Sequence, residues 1–454
     1  MKILSTLLML ILLPLVSMGQ PQKLTLEEAI DIALENNFSL KQAQNNLSVS
    51  DMQVTSAYAN FFPNLSAGFN GSQNVGRQFI QEDLTFEDRK TYGISGSMNT
   101  SVTLFSGFQN INNLRRSRVN HEQQKANVQR IRENIIFNTA MSYLQVLLDM
   151  ELLEIAEQNL ETSRMQEEQV AAQVEVGSRP VGDLYQQQST VANNELQVVQ
   201  AENTVNISRT RLVRMLQVDP VEGMELVAPE LEELSLIPQD LNLQELINLA
   251  LNNRKDLEAQ MLQIEAARYD LEIAKASRYP SISASAGISS RYSDQYSIYN
   301  PELNQSVDVP FNDQFFDQMI SRSVGFNISI PIFNRWNTNV SIMQAMVQHK
   351  NAQLNLEDVE YGVREEISQA YNDYVSLAKE LEATDRALQA AERAYETQQQ
   401  RYEVGAATLI ELNQATSDYT EAQSNRQRTV YNFIFQEKLM DYYIGRLQEA
   451  DVSL

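Results

Sequence analysis

Cysteine is absent from this 454-residue chain. Its absence excludes disulfides, thiolate metal sites and a lipid carried on an N-terminal cysteine. Histidine occurs only twice, at His121 and His349. With no thiol and no adjacent imidazole to complete a ligand set, both read as packed or solvated helix residues, and no metal site is expected. Basic residues are outnumbered 35 to 59, which gives a formal net charge of −24. A phosphate backbone needs a basic face, so nucleic acid is not an expected partner. The densest basic run is only Arg115-Arg116-Ser117-Arg118. The sequence holds no glycine-rich phosphate loop, no nucleophile stands out beside a base, and its many carboxylates are spread along helix faces. It offers no catalytic residue and no cofactor site, and is not expected to be an enzyme.

Long apolar runs are also missing, except at the start. Lys2 is followed by an almost wholly apolar stretch from Ile3 to Val16, with small residues at Ser17 and Gly19. Residues 1–19 read as a secretory signal peptide, because the apolar run is short and polar chain follows at once. An exported chain without disulfides must be held by packing or by assembly.

Proline and glycine are absent from Asn110 to Val176 and, Gly362 apart, from Asn337 to Val404. Each stretch predicts a helix on the order of 100 Å long at 1.5 Å per residue. The second carries a seam at Val363, Ile367, Ala370, Tyr374, Leu377, Leu381, Thr384, Leu388, Ala391 and Tyr395. Spacings that alternate four and three are coiled-coil periodicity. The first copy follows with Ile135, Val146, Leu153, Ala156, Leu160, Val170 and Val174. Each helix breaks at a short glycine-containing segment, Gly177–Gly182 or Gly405–Thr408, and resumes, which makes two helical hairpins over about 109–217 and 337–444.

The two hairpins belong to an internal repeat. Leu24–Ile30 recurs at Leu241–Ile247, and Phe62-Pro63 recurs at Tyr279-Pro280, both at an offset of 217. Leu104-Phe105 matches Ile332-Phe333, His121 matches His349, and Val176-Gly177 matches Val404-Gly405, all at an offset of 228. One half-domain is therefore built twice, with 11 extra residues inserted in the second copy. The expected boundaries are 20–218 for the first repeat, 219–240 for a linker with Pro220, Pro229 and Pro238, 241–445 for the second repeat and 446–454 for a tail. Each repeat opens with a helix, about Leu26–Ala59 and Leu243–Ser277.

Between opening helix and hairpin the period switches to two. Strands are expected at about 64–72, 92–105, 281–290 and 322–333, each with an apolar face against Ser, Asn and Gly. Polar loops are expected over Gln73–Thr91 and Arg291–Ser321. An uncharged wet face fits the water side of a transmembrane barrel, and the apolar face fits lipid. Phe62, Phe105, Tyr279, Phe333 and Trp336 cluster at the strand ends nearest the helices, as in an interfacial aromatic girdle. Pro63 and Pro280 stand where helix must end and strand begin. Four strands cannot close a barrel, and an open edge cannot face hydrocarbon. Several chains must therefore contribute; two chains and three both satisfy the geometry.

The ordered set of Arg401-Tyr402-Glu403-Val404-Gly405, Val176-Gly177, Pro63 and Pro280, over about Leu24 to Gly445, resembles the TolC-type outer-membrane efflux and export channels. The resemblance implies a homotrimer, with a 12-stranded β-barrel in the outer membrane standing on a periplasmic α-helical barrel. It implies a passive exit duct of a tripartite efflux pump or type I secretion system, with a periplasmic adaptor and an inner-membrane pump as partners. It places the linker and tail in a belt around the helical barrel, and the adaptor at the tips Val176, Gly177, Val404 and Gly405. It places a periplasmic gate at Asp183, Tyr402 and Glu411. Ala407 stands where the family pattern has an arginine and Gln414 where it has a second acid, with Arg179 as a candidate substitute. Against the gate stands the plainer reading of Asp183 and Glu411 as acids at helix starts, favoured by the helix dipole. Two other classes compete for the whole chain, a periplasmic adaptor and a structural coiled-coil scaffold. The first explains one hairpin but not two copies; the second explains heptads but not four alternating strands.

Overall fold

The computed structural model describes residues 23–80, 85–219, 225–227, 241–302 and 304–446. The expected signal peptide, most of the proline-rich linker and the tail after Arg446 lie outside the described residues. No helix among the described residues is long and apolar enough to cross a membrane.

The chain forms two compact units, and both repeats contribute to each. One unit is Ala43–Val128 with Lys255–Glu360. Its centre is a four-stranded antiparallel sheet of β2 (Asn64–Ile80), β3 (Thr85–Ser106), β5 (Ser281–Ser293) and β8 (Ser321–Ser329), in the order β2-β3-β5-β8. Residues opposite one another in a ladder share a face. One face therefore carries the rows Leu65/Thr100/Ala286/Val324 and Ala67/Met98/Ile288/Arg322, and the other carries Ser66/Asn99/Gly287/Ser323. Leu65, Phe69, Val324, Phe326 and Ile328 are exposed on the apolar face.

Three strand boundaries differ from expectation. β2 and β3 continue as a ribbon through Val75↔Lys90, Arg77↔Asp88 and Phe79↔Phe86, where a polar loop was expected. The ladder needs backbone groups rather than apolar side chains, and the Phe79 and Phe86 rings, 5.1 Å apart, clasp its end. β8 ends at Ser329 rather than Phe333, because its partner β5 begins at Ser281 and Pro331 has no N–H to continue the ladder. A bulge between Thr103 and Phe105 turns Phe105 opposite Ile282, onto the apolar face that Leu104 was expected to occupy. The expected loop 291–321 contains its own hairpin, β6 (Ser297–Asn300) and β7 (Gln305–Asp308). A helical turn α7 (Phe311–Asp313) and a π-turn over Gln314–Gln318 follow.

The other unit comprises the described residues within 23–42, 129–254 and 361–446. It holds most of the hairpins α3 (Gln109–Glu175) with α4 (Val181–Leu216), and α8 (Asn337–Glu403) with α9 (Leu409–Tyr443). α3 and α8 are each 67 residues, about 100 Å at 1.5 Å per residue. The seam residues Val363, Ile367, Ala370, Tyr374 and Leu381 are buried, as are Ile135, Val146, Leu160 and Val170. Tyr143 of α3 ties the chain start to the linker. β1 (Lys23–Leu24) pairs in parallel with β4 (Glu225–Leu226), and the Tyr143 hydroxyl lies 2.8 Å from the Leu24 carbonyl and 2.7 Å from that of Val227.

Each opening helix is two helices, not one. α1 (Leu26–Asn36) stops at Asn37 before α2 (Phe38–Ala59), and α5 (Leu243–Asn253) stops at Arg254 before α6 (Lys255–Ala276). Asn37 and Arg254 are repeat equivalents with ψ of 120° and 127°. Asn37 Oδ1 accepts the Ser39 and Leu40 N–H groups at 2.9 and 3.2 Å, capping the second helix.

Candidate functional site: the paired hairpin breaks

The two breaks share one backbone geometry. Gly177 and Gly405 both have φ of 73°, the left-handed conformation that closes a helix end and strains any other residue. Ser178 N–H donates to the Gln173 carbonyl at 2.9 Å, and Ala406 N–H donates to that of Arg401 at 2.7 Å. A Cβ at either glycine meets nothing within 4 Å, so conformation rather than crowding within the chain selects glycine. Val176 and Val404, just before them, are 78% and 79% exposed. Two matching apolar side chains thus stand at the hairpin tips with no cover from their own chain.

Behind the tips lies an apolar knot. Val170, Tyr402, Leu409 and Leu412 are buried together, with Val174, Leu184, Tyr395 and Ala407 packed against them. Arg179 closes over it. Its guanidinium carbon sits 4.6 Å from the Tyr402 ring centroid, and its Nη1 lies 3.3 Å from Asp183 Oδ2. Asp183 and Tyr402 are therefore brought together, joined by Arg179 from the first break. Ala407 leaves the space beside the tyrosine to packing. Tyr402 is 5% exposed, and its hydroxyl has no hydrogen-bond partner among the described residues. Burial raises its pKa above the ordinary tyrosine value, opposed by the Arg179 charge, so the hydroxyl stays protonated and able to donate.

Glu411 is not drawn into this group. It closes a capping box at the start of α9: Thr408 N–H donates to Glu411 Oε2 at 2.7 Å, and Glu411 N–H donates to Thr408 Oγ1 at 3.2 Å. These hydrogen bonds from Thr408 hold its carboxyl below the ordinary carboxylate range. Its place in the chain is the helix-start role. Gln414 likewise bonds along its own helix, to Asp418 at 2.7 Å.

Sequence reasoning missed a polar clasp one turn deeper. Gln187 of α4 is fully buried and donates to the Ser163 carbonyl at 3.0 Å. It accepts from Asn413 of α9 at 3.0 Å, joining the first hairpin to the second. A buried side-chain pair of this kind fixes helix register. Its only trace in the sequence is a polar residue that interrupts the apolar line of α4.

The strand junctions repeat as closely. Pro63 precedes β2 and Pro280 precedes β5, each after a tight turn in which Phe62 N–H donates to the Ala59 carbonyl and Tyr279 N–H to that of Ala276, both at 3.0 Å. Phe62, Tyr279, Phe333 and Trp336 are exposed there. Gly107 has φ of 62° and lies against the Ala276 carbonyl, where a Cβ would approach to 2.5 Å.

The outer membrane efflux protein family profile matches residues 29–217 and 246–432, one block on each repeat. The chain belongs to the outer membrane efflux protein family. Among its relatives, outer membrane protein TolC of Vibrio cholerae serotype O1 is 22% identical over 432 residues, covering 94% of this chain and 92% of TolC. Cation efflux system protein CusC of Escherichia coli O157:H7 is 24% identical over 397 residues, covering 85% and 78%. Crystal structures of CusC align with a TM-score of 0.78 at 20% identity, over 92% of each chain. The Campylobacter jejuni CmeC outer membrane channel aligns at 0.79 and 16%, over 94% of this chain and 88% of CmeC. These structural likenesses establish the efflux-protein fold.

Proposed function

We propose that three copies of this chain form an outer-membrane exit duct. The chain is an outer membrane efflux protein, and the duct is passive, with transport energised by an inner-membrane pump through a periplasmic adaptor. The observation that carries the reading is the four-stranded sheet. β2 and β8 each keep one edge unpaired among the described residues, one face is exposed and apolar, and the other is Ser, Asn and Gly. Backbone groups in hydrocarbon must all be bonded, so such a sheet is stable there only as part of a closed barrel. Three chains give twelve strands and a passage; two give eight, which side chains fill.

Val176, Gly177, Val404 and Gly405 form the adaptor-docking tips in this reading. The matched exposure of the two valines supports it. Asp183, Arg179 and Tyr402 form the closed gate, with Leu184, Leu409 and Leu412 packed beneath. Arg179 takes the place of the arginine that Ala407 lacks. The buried Tyr402 ring is the seat on which the Arg179 guanidinium rests. Glu411 serves the gate only by holding the start of α9.

Membrane fractionation and bilayer recording test the reading. The duct stays in the membrane through high-salt and carbonate extraction, and the purified protein conducts ions across a planar bilayer. Release by carbonate would instead place the chain with periplasmic adaptors or scaffolds.

A further inference from the structure

The loop that holds the extra residues folds back onto the sheet at the end away from the helices. Phe315 is 8% exposed and lies over Gly96, where a Cβ would come within 3.0 Å of its ring and 2.9 Å of Phe69. The Phe315 carbonyl accepts from the Ser290 hydroxyl. Gln314 is buried, and its amide grips both backbone groups of Ser293, accepting from its N–H and donating to its carbonyl at 3.1 Å. Ser293 lies beyond the last β8 pair, Ser289↔Ser321, so this side chain occupies the edge of β5 that β8 does not reach.

On this footing stands an aromatic stack. Phe311 lies 5.2 Å from both Tyr292 and Phe315, and Phe315 lies 5.2 Å from Phe316. Phe316 is 64% exposed. The stack shares the face of Phe69, Gly96 and Ser290, which is continuous with the apolar face of Val324 and Phe326. From the Ile282 row to the Ser290 row is eight residues. That is about 26 Å at ~3.3 Å per residue. At the ~40° tilt of barrel strands it becomes about 20 Å of depth, against an apolar band about 25 Å tall. The stack thus falls at the outer water boundary if the apolar face meets lipid. Arg322 is exposed on the same face one row deeper, where a long cationic side chain favours the water boundary.

We propose that Pro310–Ile320 is a membrane-surface anchor that seats the outer rim of the barrel at the acyl–headgroup boundary of the outer leaflet. Phe316 and Phe311 enter the lipid; Phe315 and Gln314 fix them to the sheet. The strands place Phe69 and Tyr292 at this level, and the loop adds Phe311, Phe315 and Phe316 to them. The proposal rests on the lipid-facing reading of the apolar sheet face.

The single tryptophan makes a clean test possible. In a Trp336→Phe background, Phe316→Trp and, separately, Val324→Trp report depth in proteoliposomes containing phospholipids brominated near the headgroup or near the bilayer centre. The expected result is loss of Phe316→Trp emission to the shallow bromines and of Val324→Trp emission to the deep ones. Quenching at 324 without quenching at 316 overturns the anchor and leaves the channel reading intact. That outcome, combined with loss of the oligomer on Phe316→Ser, would assign the stack to a neighbouring copy. No quenching at either site overturns the lipid-facing reading and the anchor with it.

Discussion

Replacing Arg179 with alanine should open the duct. Two interactions disappear. The Asp183 pair is partly exposed and spaced i,i+4, so it is worth about 0.5 kcal/mol. The cation–π contact lies over a nearly buried Tyr402 ring and is worth roughly 1–2 kcal/mol. Only the cation–π contact joins the two hairpins and can differ between closed and open states, so it sets the differential at roughly 1–2 kcal/mol per protomer, or roughly 3–6 kcal/mol for three protomers that open together. About 5.5 kcal/mol is enough to carry a two-state equilibrium from 1:99 to 99:1. Arg179→Ala should therefore shift a mostly closed channel far toward the open state, read as raised single-channel conductance in planar bilayers and as entry of large antibiotics into cells. Tyr402→Phe separates the parts. It keeps the ring under Arg179 and removes only a buried hydroxyl with no partner among the described residues, so conductance should stay at the wild-type level; an increase would show that the hydroxyl itself holds the gate. If Arg179→Ala leaves conductance unchanged with the oligomer intact, the gate assignment is wrong, and closure belongs to the packing of Leu184, Leu409 and Leu412.

Val176→Glu with Val404→Glu should abolish efflux while leaving assembly and conductance intact, because charge at the exposed tips disfavours an apolar partner; surviving efflux would make the tips mere turns. Glu411→Ala should leave conductance unchanged, and Thr408→Ala should loosen the start of α9 by about 1 kcal/mol without opening the gate, as read by hydrogen exchange and bilayer recording. The depressed Glu411 pKa makes this cap pH-dependent: its contribution is present above the ordinary glutamate pKa and is lost as pH falls through the lower folded value, so exchange protection at 408–412 should drop only in that acid range. Tyr143→Phe should cost about 1 kcal/mol by removing the hydroxyl that joins the Leu24 and Val227 carbonyls, although the Leu24 carbonyl keeps the Val227 N–H at 3.1 Å, and the wild-type phenol, pushed up to about 12 by burial, should titrate above ordinary tyrosines in an ultraviolet pH titration.

The helical part of this fold was legible because its signals are long and redundant. Heptad spacing over ten residues, together with a glycine after each long helix, placed α3, α8 and both breaks within a few residues. The strands were legible where apolar alternation persists and illegible where backbone pairing alone continues, as from Val75 to Lys90. Asn37 and Arg254 interrupt their helices through backbone angles and a side-chain cap, with no proline or glycine to mark them. At the hairpin breaks, the family resemblance pointed to Asp183 and Tyr402, but only three-dimensional packing shows Arg179 between them and Gln187 holding Asn413. Glu411 sits three residues after Thr408, a capping-box spacing that went unread in the sequence, where only the helix dipole spoke for its helix-start role.

The proposed duct requires a closed barrel built from several chains. Native mass spectrometry of protein extracted from the outer membrane in detergent tests it most directly. A single heat-sensitive species of three chains that stays in micelles is the expected result. A water-soluble monomer, stable with both sheet edges unpaired, would contradict it.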